Sequence, residues 1–280
     1  MNRTHASASA PGQTASSPSQ HIAAHAPAAS LAQHLIDQHW SQSWKTAAAR
    51  GRADDAAGCA ADAATPTAAR LAFFTPLHYE PGYAYPLLVW LHSDGGSHRE
   101  LNDVMPHVSV RNHVAVAVQG IPDDRRGGAC SWRRAPADAD EAAVHVRRAI
   151  DVAQQRFHIH RQRVFLAGYE HGGTMALRLG LRYPEWFAGA ISLEGPMPQG
   201  HAPLLAVNRA RRLPLMLAAC RESHAYPWSR VAEDLRLLHA AGFALALRQY
   251  PGTHDLTTEM LADMDRWILE QFCPSACRER

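Results

Sequence analysis

The chain has 280 residues, enough for one large domain with a sizeable core, and 46% of them are hydrophobic. Its formal net charge of +2 is close to neutral and shows no concentrated basic stripe, so nucleic acid is not an expected partner; Arg209, Arg211 and Arg212 read as a solvated loop. No apolar run reaches the length of a transmembrane helix, and prolines and polar residues interrupt the alanine runs that a signal peptide would need, so no membrane association is expected.

Met1 to Ser30 is Ala, Ser, Pro, Gln and His with almost no large apolar residues, too little to bury on folding. Leu31, Leu35, Ile36, His39 and Trp40 could form one face of a short helix within residues 31–44. Arg50 to Thr67 returns to an Ala-rich linker, so residues 1–67 are expected to be a low-complexity tail and 68–280 the folded domain. Strands are expected at Leu71 to Phe74, Leu87 to Leu91 and Val114 to Val118. A helix follows from about Ala137 to Arg156, with Ala142, Val146, Ile150 and Ala153 on one face. Next come strand Val164 to Ala167, helix Thr174 to Leu181, and strands Ala188 to Leu193 and Leu215 to Ala219. Helix Ser229 to Ala241, closed by Gly242, strand Ala244 to Tyr250 and helix Thr257 to Gln271 complete the order.

Strand–helix alternation with near-continuous apolar strands implies an α/β fold with a mostly parallel sheet and helices on both faces. Functional groups then gather at the carboxyl ends of the strands. Four loops satisfy that rule with polar residues of catalytic type: those after Leu91, Ala167, Ala219 and Tyr250.

The run Arg163-Val-Phe-Leu-Ala-Gly168-Tyr169-Glu170-His171-Gly172-Gly173 reads as an apolar strand, a glycine-flanked turn and a helix. This is the sequence form of a nucleophile elbow, G-x-S-x-G, with Glu170 where the serine would stand. Together with Tyr183-Pro184-Glu185-Trp186-Phe187, it resembles the α/β-hydrolase superfamily, in its phospholipase/carboxylesterase branch and the related polyester-depolymerase-type esterases. The resemblance spans about Arg70 to Phe272.

That resemblance implies roles for further residues. Leu91-His92-Ser93-Asp94-Gly95-Gly96 looks like the oxyanion loop, with backbone donors at Asp94 and His171. Tyr250-Pro251-Gly252-Thr253-His254 is similar to the segment that carries the catalytic histidine, His254. Counting back from Pro227 puts Ser223 at the acid position, where a hydroxyl cannot hold an imidazolium by charge. Glu222 and Asp255 are weak substitutes. On this reading His254 lacks an acid, and restoring esterase chemistry would need both Glu170→Ser and Ser223→Asp.

The expected function is therefore a pseudoenzyme, a hydrolase-fold protein that binds a small-molecule ester-like ligand or a partner without serine chemistry. Two alternatives stand beside it. Glu170 could act with His254 as a carboxylate nucleophile on an alkyl carbon, although its extra methylene moves the reactive oxygen by about 1.5 Å. Alternatively, a displaced serine such as Ser93 could hydrolyse esters. No cofactor is expected. His92, Asp94, Glu170, His171 and His254 match no zinc spacing, so no metal is expected either. Trp132 could wall a substrate pocket or equally be a packed loop tryptophan. His158 and His160 read as solvent-facing. The odd, scattered set of five cysteines (Cys59, Cys130, Cys220, Cys273, Cys277) favours free thiols and a cytoplasmic setting.

Overall fold

The computed structural model describes residues 70–123, 129–132, 135–200 and 202–272. The expectations for the tail, its short helix and Cys59, Cys273 and Cys277 lie outside the described residues. Nine strands are described: β1 (Leu71–Phe74), β2 (Tyr85–Leu91), β3 (Val114–Val118), β4 (Ile121–Asp123), β5 (Ala129–Ser131), β6 (Ile159–Tyr169), β7 (Gly189–Leu193), β8 (Leu215–Cys220) and β9 (Leu245–Tyr250). The helices are α1 (Glu100–Val108), α2 (Pro136–Arg156), α3 (His171–Arg182), α4 (Val207–Ala210), α5 (Trp228–Ala240) and α6 (Thr258–Phe272), with a 3-10 turn at Pro184–Trp186.

Seven strands form one sheet in the order β1-β3-β2-β6-β7-β8-β9, and β4 and β5 make a separate antiparallel hairpin. β1 runs antiparallel to β3, with Leu71 opposite Val118; the other pairings in the large sheet are parallel. Burial follows position. The inner strands β2, β3, β7 and β8 are buried along their whole length, whereas β1 at the edge is half-buried throughout. A strand covered on both faces has no solvent side, which is why YPLLVWL and VAVAV carry no polar alternation.

Successive side chains of a strand point to opposite faces. In β2, Leu87, Val89 and Leu91 join the core under α2, α3 and α5, with Val146, Ile150, Leu177 and Leu238. Leu88 and Trp90 join the opposite core under α1 and α6, with Leu101, Met105, Met264 and Trp267. His113, at the start of β3, is tied to α6 through Asp265 at 2.6 Å. Gly242 follows α5 at φ 77, the left-handed conformation of a helix-ending glycine.

Three elements go beyond the sequence expectation. Helix α1 was not expected, because Pro106 interrupts its pattern and no side chain caps it. Its buried face of Leu101, Val104, Met105 and Val108 supplies the stability that propensity does not. The β4–β5 hairpin and the single turn α4 are too short for periodicity to reveal. β6 extends to both sides of the expected strand, and α3 begins at His171 rather than Thr174.

Candidate functional site

The carboxyl ends of β2, β6, β7 and β8 lie side by side, and the loops that follow them build one cleft. β6 ends at Tyr169, α3 begins at His171, and Glu170 between them has φ 53 and ψ −118. A residue with a Cβ avoids that region unless its surroundings force it there, at a cost of roughly 1–3 kcal/mol. Two backbone bonds impose the turn: Glu170 N–H donates to Leu193 O at 2.9 Å, and Thr174 N–H donates to Glu170 O at 3.0 Å.

Glycine is required around the elbow by contact. A Cβ on Gly168 would lie 2.4 Å from the carbonyl carbon of Gly172, and one on Gly172 would lie 2.2 Å from Leu91 O. Backbone cannot yield at such distances. Gly172→Ala should therefore cost about 3 kcal/mol or more in thermal denaturation. A variant as stable as wild type would mean that the elbow and the β2 end are not in contact.

The Glu170 side chain does not cap α3. It projects into the cleft, where Oε1 lies 2.9 Å from His254 Nε2 and Oε2 accepts the Asp94 N–H at 3.3 Å. His254 sits on the loop after β9, and Tyr169 donates its hydroxyl to the His254 carbonyl at 3.1 Å. The other imidazole nitrogen, Nδ1, lies 2.8 Å from Glu194 Oε2 and 3.2 Å from Ser223 Oγ.

Glu194 corrects the expectation that His254 has no acid partner. It follows β7, has φ 57, and its side chain is fully buried. Its second oxygen accepts the Cys220 N–H. Ser223 stands beside Nδ1, as counting from Pro227 predicts, and accepts the Tyr226 N–H at 3.0 Å, but the charge at Nδ1 comes from Glu194. Glu222 is exposed. The missed signal was a carboxylate at the carboxyl end of a buried strand, followed by Gly195-Pro196. The loop after Leu193 belonged with the four others.

Glu170 first and then Glu194 accept hydrogen bonds from the two imidazole nitrogens and so keep His254 protonated, outweighing the burial that opposes it. The imidazole is pushed from its ordinary 6.5 up to about 9 and is an imidazolium at neutral pH. Its folded value exceeds its unfolded one, so the stabilisation is complete below about 6.5 and is lost as pH rises through about 9. With the side chain 27% exposed, that stabilisation is on the order of 2 kcal/mol.

The expected oxyanion loop is held from below. Ser93 donates its N–H and its hydroxyl (2.7 Å) to the buried Glu100 carboxylate, which also accepts Trp90 Nε1–H at 2.9 Å. Burial pushes Glu100 up to about 7 against those hydrogen bonds. His92 is turned away from the cleft: Nε2 accepts the Gly120 N–H at 2.8 Å, leaving Nδ1–H to donate to Ser93 O at 2.7 Å. Both ring nitrogens are used, so His92 is not a metal donor. The His171 ring pairs with the Asp94 carboxylate at 3.2 Å.

Beside these groups lies a cavity of about 360 Å³. Trp132, Met175, Met197 and Ala225 give it apolar walls, and Glu170, His254, Arg178 and Arg230 contribute polar groups. Trp132 also donates its indole N–H to His92 O at 2.8 Å. Cys130 and Cys220 are buried free thiols. Among the described residues, no helix is long and apolar enough to cross a membrane.

Comparison with known proteins identifies the architecture. The model of the phospholipase/carboxylesterase family matches residues 131–271, just over half of the chain. NocK of Nocardia uniformis subsp. tsuyamanensis, named as an esterase, is 31% identical over 133 residues, covering 44% of this chain and 38% of NocK. A protein of Oryza sativa subsp. japonica named as a carboxylesterase is 25% identical over 120 residues, covering 42% of this chain and 45% of that one. The chain thus spans less than half the length of these two relatives. Among solved structures, a Bacillus cereus carboxylesterase superposes with a TM-score of 0.59 at 18% identity, over 74% of this chain and 96% of that one. Arabidopsis thaliana SOBER1 gives 0.58 at 19% identity, over 67% and 99%. At these identities the structural likeness speaks for the α/β-hydrolase fold alone.

Proposed function

Because the chain belongs to the phospholipase/carboxylesterase family of α/β-hydrolases, we propose that its cleft binds a small ester-like molecule without performing serine-ester chemistry. The observation that carries this reading is the Glu170–His254 ion pair at the elbow. An esterase needs a hydroxyl there and a neutral imidazole to take its proton. Glu170 has no proton to give, and its attack on an acyl ester would yield an anhydride. His254, held as an imidazolium below about pH 9, has no capacity to accept a proton.

A displaced serine gains no support from the geometry. Ser93 is buried and donates to Glu100, and Ser223 lies against Nδ1, the wrong nitrogen for a nucleophile paired with Nε2. Treating the wild-type protein with a fluorophosphonate probe is the test. No residue should be labelled. Stoichiometric labelling of any serine, located by peptide mass spectrometry, would overturn the reading.

One observation favours a second reading, a carboxylate nucleophile acting on an alkyl halide or epoxide. Glu194 holds Nδ1, the nitrogen that Glu170 does not touch. Glu170 attack would break the carbon–halogen bond and release halide, or open the epoxide with the alkoxide taking the His254 proton. The resulting ester is neutral, so the group that does most to hold the His254 proton is gone and a base is left beside the new ester. A covalent alkyl adduct on the peptide containing Glu170, after exposure to a primary alkyl halide, would support this reading over the first.

A further inference from the structure

We propose that the cleft contains a carboxylate-binding site whose resident occupant is the protein's own Glu170 side chain. Two donors from distant loops define the site: His254 Nε2 on the loop after β9, and the Asp94 N–H on the loop after β2. They take one oxygen each of a single carboxylate. This is how a free acid is held between a cation and a backbone amide.

Both donors are fixed independently of Glu170. Asp94 follows Ser93, which is tied to Glu100 by its N–H and its hydroxyl. His254 is held from its far side by Glu194. Glu170 itself stands at the N-cap of α3 but leaves that helix uncapped, and its strained backbone aims the side chain into the cleft. The carboxylate thus fills a site that the rest of the fold supplies. Acetate is smaller than the side chain that Glu170→Gly removes, and the adjoining cavity of about 360 Å³ gives it access.

A consequence follows for the ligand class, and it rests on the binding function proposed above. An incoming carboxylate must compete with Glu170, so the ligand end that meets His254 is neutral. Acids, the products of ester hydrolysis, are excluded from the cleft floor.

The test compares wild-type protein, Glu170→Gly and Glu170→Gly/His254→Gln, with acetate as the probe and acetamide as the neutral control. Glycine suits the elbow conformation, and a dispersed amide spectrum checks folding. In Glu170→Gly the His254 imidazole should titrate well below wild type, and acetate should restore it with a Kd of about 1 mM, or roughly −4 kcal/mol. Acetamide should have no effect, and the double variant should lose acetate binding. The His254 signals of wild type should not move in up to about 0.1 M acetate, roughly a hundredfold above that Kd. Folded Glu170→Gly that ignores acetate would overturn the proposal. So would wild-type protein that binds acetate as well as the variant, a measurement independent of whether the variant folds. Probe labelling of a serine would instead sink the function proposed above and leave the acetate result standing.

Discussion

Glu170→Ser should convert the protein into an esterase in one step, raising hydrolysis of short acyl esters about 10²–10⁴-fold above the wild-type background. The rest of the machinery is already in place. Glu194 holds His254 Nδ1, Asp94 presents its N–H to the elbow side chain, and the turn that exposes position 170 is set by glycine contacts. Removing the Glu170 carboxylate also removes the first cause of the raised His254 pKa, which frees the imidazole to act as a base. The serine hydroxyl is shorter than the glutamate side chain, so the His254 loop must close in slightly. Catalytic contacts that are long in the free enzyme and tighten on substrate make that tolerable.

Two controls identify the acid. Glu170→Ser/Glu194→Gln should return to background, because a triad without its charge loses about 10⁴-fold. Glu170→Ser/Ser223→Ala should keep most of the gained rate. Steady-state hydrolysis of a p-nitrophenyl ester reads all three. If Glu170→Ser is inert while Glu170→Ser/Ser223→Asp is active, the acid belongs at position 223, as the sequence pattern suggested, and the role given to Glu194 is wrong.

Glu194→Gln alone should be the most destabilising isosteric change in the cleft. The glutamine oxygen can still accept the Cys220 N–H, which leaves an amide donor in place of the carboxylate acceptor at His254 Nδ1, so the variant removes both the charge and the hydrogen bond that hold the imidazolium. Breaking a fully buried ion pair costs about 3–5 kcal/mol, and the 27% exposure of the His254 side chain lowers that to about 2–3. In a domain of this size the melting temperature should fall by about 5–10 °C at pH 6.5.

The pH dependence gives a second readout. Wild-type stability should decline as pH rises from about 6.5 to about 9, because the unfolded chain releases the His254 proton before the folded one does. In Glu194→Gln the imidazole midpoint should fall below about 9, so the decline should be smaller and end earlier. Thermal melts from pH 6 to pH 10 with imidazole NMR titration measure both. An unchanged midpoint would show that Glu170 alone holds the proton.

The elements that the sequence determined are those specified by local chemistry. Gly168, Gly172 and Gly173 around a polar residue, after an apolar strand, mark the elbow, because only glycine allows the backbone to pass within 2.2 Å of where a Cβ would lie. The tyrosine–proline–glycine run before His254 and the continuous apolar strands likewise carry their meaning within ten residues. They sufficed for the parallel sheet and, through the family resemblance, for placing Glu170 and His254 in one site; that the two side chains pair across 84 positions is read from the structure.

Only the tertiary structure decided what holds the other side of that histidine. Glu194 is 60 residues from His254, and no motif links them. They meet because β7, β8 and β9 are consecutive and parallel in the sheet, so the loops after β7 and β9 open at the same edge. Strand order is fixed by long-range pairing and packing, for which a single sequence has no period. The same is true of Glu100, on a helix whose Pro106 hides its pattern and whose carboxylate steadies the Asp94 loop from beneath Trp90. A buried charge is positioned by whichever groups desolvate and hydrogen-bond it, and those groups are neighbours in space before they are neighbours in the chain.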